Sequence, residues 1–418
     1  MQFLMRQGIA VGCNLLYGLL CVRMLPVADY AKFAVLFGYM GSLTVLLDVG
    51  ISGTLVPLVG EQIANLQLIA NYVASIRRIA LWMYLIVAPI ACIVFIALVQ
   101  KQNWGTLVIV QMLAALLVTA WFARVSSSYG AVLILRRDRS RYYRVQILGS
   151  AGSLALLVSL WALHRMNIYV AILLNVAQIM FNASNYYLRS RELLRVKGRY
   201  SAQQEKAIVR LAVPNAPGNI FFAIQGQVTL MLITLFGHTS ASVASVGALS
   251  RLSQILIFFA QMYPILVEPF FAKLQATRVI RVFLAGVIIL SAFATAYTAL
   301  AFYYPEVFLW VLGPKYSKLR FEVSLQIMSS AISFVSSYFW IVNSSRRFVY
   351  WWNSIANIIL ILLVQGVFIW KLDLSQVKNV LILNVATATA TLIVYASGSV
   401  YGFLRGPQKM EHIEHVEA

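Results

Sequence analysis

Two arginines and one aspartate lie inside long apolar stretches of this 418-residue chain, and they are the residues with most chemistry to offer. Arg251 stands in Leu249-Ser250-Arg251-Leu252, Arg124 in Phe122-Ala123-Arg124-Val125, and Asp48 follows Val45-Leu46-Leu47. A guanidinium in the middle of an apolar span costs about 2.5–3.5 kcal/mol on insertion scales, so it meets either a partner or a polar cavity. Its planar fork donates paired hydrogen bonds to phosphate oxygens, which suits it to an anionic headgroup. For Arg124 two further readings stay open: its stem reaches to the membrane surface, or it forms an ion pair with Asp48.

Uncharged polar residues recur at helical spacing in the same stretches. Asn175, Gln178, Asn182 and Asn185 follow steps of three, four and three and so share one helix face. Gln254, Gln261 and Glu268 form a second stripe, Ser329, Ser333, Ser336 and Asn343 a third, and Asn384, Thr387 and Thr391 a fourth. Each stripe by itself is explained by interhelical hydrogen bonds. Four of them, in both halves of the chain, favour a shared hydrated cavity whose amides and hydroxyls could serve sugar hydroxyls. Arg251, Arg124, Asn175, Gln178, Asn182, Gln254 and Gln261 are the candidate substrate-binding residues, and Asp48 a candidate coupling or ion-pair residue. Glu61 and Glu268 read as solvated carboxylates at helix ends.

The chain carries no G-x-x-x-x-G-K-[ST] loop, G-x-S-x-G elbow or H-E-x-x-H pair. The expectation is a protein without catalytic residues, cofactor or metal site, and not an enzyme. The tail residues Glu411, His412, Glu414, His415 and Glu417 are expected to be a disordered polar end rather than metal ligands. Cys13, Cys21 and Cys92 all fall in apolar stretches and read as packing residues.

The elements that position these residues follow from composition. With 61% hydrophobic and 11% charged residues, no water-soluble fold could hide the apolar surface. A spanning helix needs about 20 apolar residues. Twelve such stretches are predicted, at roughly 7–24, 33–57, 79–99, 106–133, 144–163, 168–188, 211–236, 243–271, 280–304, 321–345, 349–370 and 380–404. The expected fold is all-α, a polytopic membrane protein with two six-helix lobes around a central cavity. The lobes are expected at 1–190 and 211–405, with a basic interfacial linker at 191–210 and a cytoplasmic tail at 406–418. Arg6 ahead of the first run is not followed by a cleavage site, so that run reads as a retained helix.

Orientation follows from the 33 Lys and Arg residues. Nine fall in loops opposite the N-terminus: Arg23, Lys32, Lys101, Arg165, Lys315, Lys318, Arg320, Lys371 and Lys378. Arg124 and Arg251 lie in spans, and all the others lie on the side of the N-terminus. Because short basic loops stay in the cytoplasm, both termini are expected there. The net charge of +20 then reflects topology and attraction to membrane lipids, and calls for no nucleic acid.

Three local motifs resemble a known family. Arg23-Met24-Leu25-Pro26-Val27-Ala28-Asp29-Tyr30-Ala31-Lys32-Phe33-Ala34 is similar to the R-x-L-G-P-x-D-Y-G-x-F-A signature of bacterial polysaccharide repeat-unit flippases. These belong to the multidrug/oligosaccharidyl-lipid/polysaccharide exporter superfamily. Pro26, Val27 and Ala31 depart from that signature. Asp48-Val49-Gly50-Ile51 resembles the family's D-[LV]-G-[IL], and Leu312-Gly313-Pro314-Lys315-Tyr316 its loop before the tenth span. The resemblance implies a bacterial inner-membrane transporter that flips an undecaprenyl-pyrophosphate-linked oligosaccharide to the periplasmic leaflet by alternating access. O-antigen, capsule or exopolysaccharide synthesis would use it, and a polysaccharide polymerase is a candidate partner. Arg124 and Arg251 would attract the anionic headgroup. Two other classes compete: a multidrug exporter of the same superfamily, for which Asp48 is the deep carboxylate, and a membrane-embedded polysaccharide polymerase or ligase.

Overall fold

The structure is a computed structural model describing residues 2–405 apart from 60, 61, 63, 103, 136–138, 197, 214, 215, 238 and 349. Its regular elements are helices, and among the described residues no strand occurs. The first seven are α1 (Gln2–Met24), α2 (Val27–Asp48), α3 (Leu55–Val59), α4 (Leu66–Val99), α5 (Thr106–Leu135), α6 (Arg139–Ala162) and α7 (Ile168–Leu194). Then come α8 (Ala202–Ala212), α9 (Ala216–Gln225), α10 (Val228–Phe236), α11 (Ser240–Ala260) and α12 (Tyr263–Lys273). The chain closes with α13 (Ala276–Tyr303), α14 (Pro305–Leu312), α15 (Arg320–Ser345), α16 (Trp351–Lys371) and α17 (Val377–Arg405). Eleven helices are long and apolar enough to cross a bilayer, and α8 with α9, bent by 58°, makes a twelfth candidate. The all-α polytopic architecture is therefore the one the composition requires.

Four of the predicted spans have different bounds or a break, each for a local reason. The span expected at 33–57 begins earlier, at Val27, because Pro26 (ψ 149°) fixes an extended entry and Asp29 sits favourably in the first turn. It ends at Asp48, where Val49 (φ 43°) and Gly50 (φ 83°) turn left-handed. The span expected at 79–99 starts at Leu66, capped by the Asn65 side chain accepting from the Leu68 amide. Its 34 residues make it about 51 Å long, so Arg77 and Arg78 belong to the helix and not to a loop. The span expected at 243–271 breaks at Gln261, since Pro264 has no amide with which to continue the ladder from Ala260. The stretch at 211–236 is likewise divided into α9 and α10, with Gly226 and Gln227 between them.

Contacts divide the chain into two compact units. The first comprises Met1–Arg251, Leu312–Tyr316 and Leu374–Val377; the second comprises Leu252–Val311, Ser317–Asp373 and the chain from Lys378 onward. In the first, one core joins Ile51, Leu55, Val73, Tyr129, Tyr186 and Ile208. That core draws in the basic segment after α7, because α8 turns Ile208 and Ala212 inward and leaves its charges outside. The Arg199 amide donates to Asn71 Oδ1 at 2.7 Å and Arg78 stacks 3.9 Å from the Tyr200 ring, fastening that segment to the start of α4. In the second unit the core is aromatic: Tyr263, Phe271, Phe283, Phe334 and Tyr338 pack together, Phe283 and Tyr338 stacked at 5.9 Å.

Candidate functional site

Arg251 is 3% exposed, on α11. Its guanidinium carbon lies 4.2 Å from the centre of the Phe37 ring on α2, and its charge lies close to the Tyr30 hydroxyl. Tyr30 in turn donates to the Gly247 carbonyl at 3.1 Å. On α1 the guanidinium rests over Gly18, where a β-carbon would stand 3.0 Å from one of its nitrogens. Among the described residues no carboxylate pairs with it. Arg251 is thus a caged cation, held by a π face, a phenol and a glycine. Gly247 lets α11 approach α2 this closely, since a β-carbon there would come within 2.6 Å of the Ala34 β-carbon.

Just beyond this cage two of the motif segments meet. Lys315 donates to the carbonyls of Arg23 (2.9 Å) and Leu25 (2.8 Å), at the corner between α1 and α2. Gly313 is at φ 98°, where a β-carbon would stand 3.4 Å from Arg23 Cγ, and Tyr316 is buried. Burial holds the Lys315 ammonium below the ordinary lysine value. Residues almost 300 positions apart therefore close one end of the first unit.

Toward the other end, a cavity of about 470 Å³ opens between α2, α5, α6 and α7. Thr44, Ser52, Ser126, Ser127, Tyr142 and Asn182 supply its polar lining, while Gly53, Ala123, Gly130 and Ala131 give it width. Among the described residues no charged side chain lines it. The Asn182 side chain packs against Gly149 on α6, where a β-carbon would collide with its carbonyl oxygen, and that oxygen is buried without a hydrogen-bond partner.

The expected stripe on α7 splits between two roles. Asn182 reaches this cavity, whereas Gln178 ties three helices together, accepting from Ser153 (2.8 Å) and donating to Asn14 (2.9 Å). Asn175 is half-buried, and Asn185 donates to its own helix at Phe181. Gln254 is half-buried on α11, and Gln261 is exposed at the break after it. In the second unit Asn343 donates to the Tyr395 carbonyl (2.9 Å) and accepts from Ser399 (2.6 Å), a seam between α15 and α17. Gln326 and Ser330 likewise meet Ser253.

Arg124 and Asp48 do not pair. The Asp48 carboxylate accepts from the Ser52 amide (3.1 Å) and hydroxyl (2.8 Å), closing the turn after α2. Arg124 stacks 4.0 Å from the Trp121 ring centre and shares a cavity with Arg77. Arg77, Ser52 and Tyr142 are site residues that the sequence reading missed. Arg77 was hidden because hydropathy drops at the arginines, though the cap at Asn65 shows where the helix begins. Glu61 and the histidines and glutamates of the tail lie outside the described residues.

No family model matches this chain, and no curated protein does. Among solved structures, an inward-facing multidrug resistance MATE family transporter of the MOP superfamily is similar over 96% of this chain and 94% of its own. Its TM-score is 0.69 at 13% identity. An outward-facing MATE transporter with the same coverage has a TM-score of 0.60. The lipid II flippase MurJ, in an inward closed conformation, is similar over 96% of this chain and 89% of its own, with a TM-score of 0.60 at 11% identity. At these identities the likeness is one of architecture: the chain shares an all-α fold with these transporters, with eleven candidate spanning helices among the described residues, or twelve if the bent pair counts as one.

Proposed function

We propose that the protein is an alternating-access transporter that moves an anionic, lipid-linked oligosaccharide from the cytoplasmic to the periplasmic leaflet of a bacterial inner membrane. An undecaprenyl-pyrophosphate-linked repeat unit fits this description. One observation carries the reading: among the described buried side chains the single charged one is cationic, Arg251. A substrate attracted by such an interior carries negative charge, and the inside-negative potential favours its outward passage by about 2.3 kcal/mol per charge per 100 mV. The hydroxyls and amide of the 470 Å³ cavity are the groups that sugar hydroxyls need. The motifs at 23–34, 48–51 and 312–316 support the same substrate.

A multidrug exporter is the second reading, and the higher TM-score of the inward-facing MATE transporter favours it. A cationic drug would need a carboxylate in the path, and Asp48 already spends both oxygens on Ser52. The deciding experiment is reconstitution into vesicles with a fluorescent lipid-linked oligosaccharide in the inner leaflet, beside a drug-susceptibility assay of a deletion strain. Flipping by the parent protein and unchanged drug susceptibility are expected. Raised susceptibility to cationic drugs with no flipping would reverse the assignment.

A further inference from the structure

We propose that the cavity holding Arg77 and Arg124, between α4, α5 and α7, binds the phosphate of an anionic membrane lipid. The inference requires only that the chain spans a bilayer and stands apart from the transport substrate. The cavity, about 270 Å³, is lined by both arginines with Trp121, Tyr129, Ser184 and Tyr187 among its other walls, and among the described residues no acid contributes to it. Two guanidinium groups that repel each other therefore face one space with no countercharge among the described residues. Arg124 Nε is buried there with no hydrogen-bond partner. Such an orphan donor beside a second cation is the arrangement that an anion completes.

The aromatic walls support this arrangement by holding the guanidinium groups by their faces. Arg124 lies 4.0 Å from the Trp121 ring centre, Arg77 5.6 Å from Tyr129, and Arg191 5.5 Å from Tyr187. Stacking of this kind leaves the N–H edges turned toward an acceptor. Ser128 donates to the Arg124 carbonyl at 3.0 Å, and as an uncharged hydroxyl it leaves the charge of the pair uncompensated.

Position and surroundings select a lipid over a soluble anion. Arg77 lies eleven residues into α4 and Arg124 eleven residues before the end of α5, each about 17 Å along its helix. The apolar run of α4 at 79–99 alone covers a hydrocarbon core of about 30 Å, so Arg77, which precedes it, falls at the apolar boundary, and Arg124 lines the same cavity. That depth is within reach of a lipid phosphate. Leading to the cavity on α5 is an exposed apolar stripe of Leu107, Val110, Val118 and Trp121, and Phe181 and Leu188 flank Ser184 on α7. Acyl chains lying on those faces would bring the headgroup to the arginines. Basic pockets between spanning helices bind anionic headgroups in this manner, each cation near the surface being worth about fivefold in affinity.

The test is tryptophan quenching in phosphatidylcholine vesicles containing phosphatidylglycerol, with bromine on the chains of one lipid or the other. The Trp121 signal is taken as the parent minus Trp121→Phe. Expected is a preference for phosphatidylglycerol of at least about tenfold, falling to near unity in the Arg77→Gln/Arg124→Gln double variant. Arg77→Lys/Arg124→Lys, which retains charge without the fork, should keep part of it and controls for misfolding. Competition by undecaprenyl pyrophosphate would make the site one for any phosphate-bearing lipid; its failure would make it one for resident phospholipid. Competition by inorganic pyrophosphate as strong as by lipid overturns the inference, and so does an undiminished preference in the Gln double variant.

Discussion

At Arg251 two opposing terms meet, and their balance separates the residue's structural role from its proposed functional one. Removing a buried charge relieves desolvation, but Arg251→Ala also empties the space over Gly18 and takes the π partner from Phe37. A desolvated cation–π contact is worth about 2 kcal/mol and a large-to-alanine cavity about 2–5 kcal/mol. Arg251→Ala should therefore lose roughly 2–4 kcal/mol, seen as a lowered melting temperature in detergent. Arg251→Met fills the volume without the charge, and apolar replacements of buried ions are often neutral, so it should melt close to the parent. Both variants should fail to flip lipid-linked oligosaccharide. Arg251→Met flipping at the parental rate would make the cage purely structural. The presence of this buried arginine was legible from its apolar neighbours. Its cage was not, because Gly18, Tyr30 and Phe37 sit on other helices and carry no mark in sequence of what they face.

On the scale of elements, hydropathy located the spans and misjudged where several end. A helix that continues past the membrane, as α4 does, keeps its backbone bonds while its side chains turn polar, so an apolar window stops short. The error at α2 was the reverse. Ile51, Leu55 and Val59 are apolar because they belong to the core, yet the backbone turns at Val49 and Gly50. The Asp48–Ser52 bonds define that turn, which gives it a test. Asp48→Asn keeps an acceptor but loses the charge assistance, and should cost about 1 kcal/mol while sparing flipping. An exporter reliant on Asp48 for a drug cation or proton would lose its activity outright in the same variant. Gly50→Ala forces a side chain into φ 83° and toward Asn219 Nδ2 at 3.0 Å, so it should destabilise by at least 1–2 kcal/mol, as roughly expected for a left-handed residue. Unchanged melting of Gly50→Ala would show that the turn relaxes.

For the whole molecule, the distribution of Lys and Arg sets the sides. Reporter fusions after Arg141 and after Arg405 should report the cytoplasm, and fusions after Arg165 and Lys318 the periplasm. On that topology the corner at Arg23–Leu25, the Lys315 clasp and the Arg251 cage lie toward the periplasm. Cys21, fully buried beside Arg251, is a native reporter of opening at this end. With Cys13 and Cys92 replaced by serine, a membrane-impermeant maleimide should label Cys21 only when the end opens. Lys315→Ala removes both hydrogen bonds to the α1–α2 corner, so it should raise the labelling rate from the periplasmic face. An alternating-access cycle predicts faster labelling during turnover with lipid-linked oligosaccharide than at rest. A Cys21 that stays unlabelled in the parent under turnover and in Lys315→Ala would mean that this end does not open. The substrate would then need another route out, and the alternating-access reading would fail for this chain.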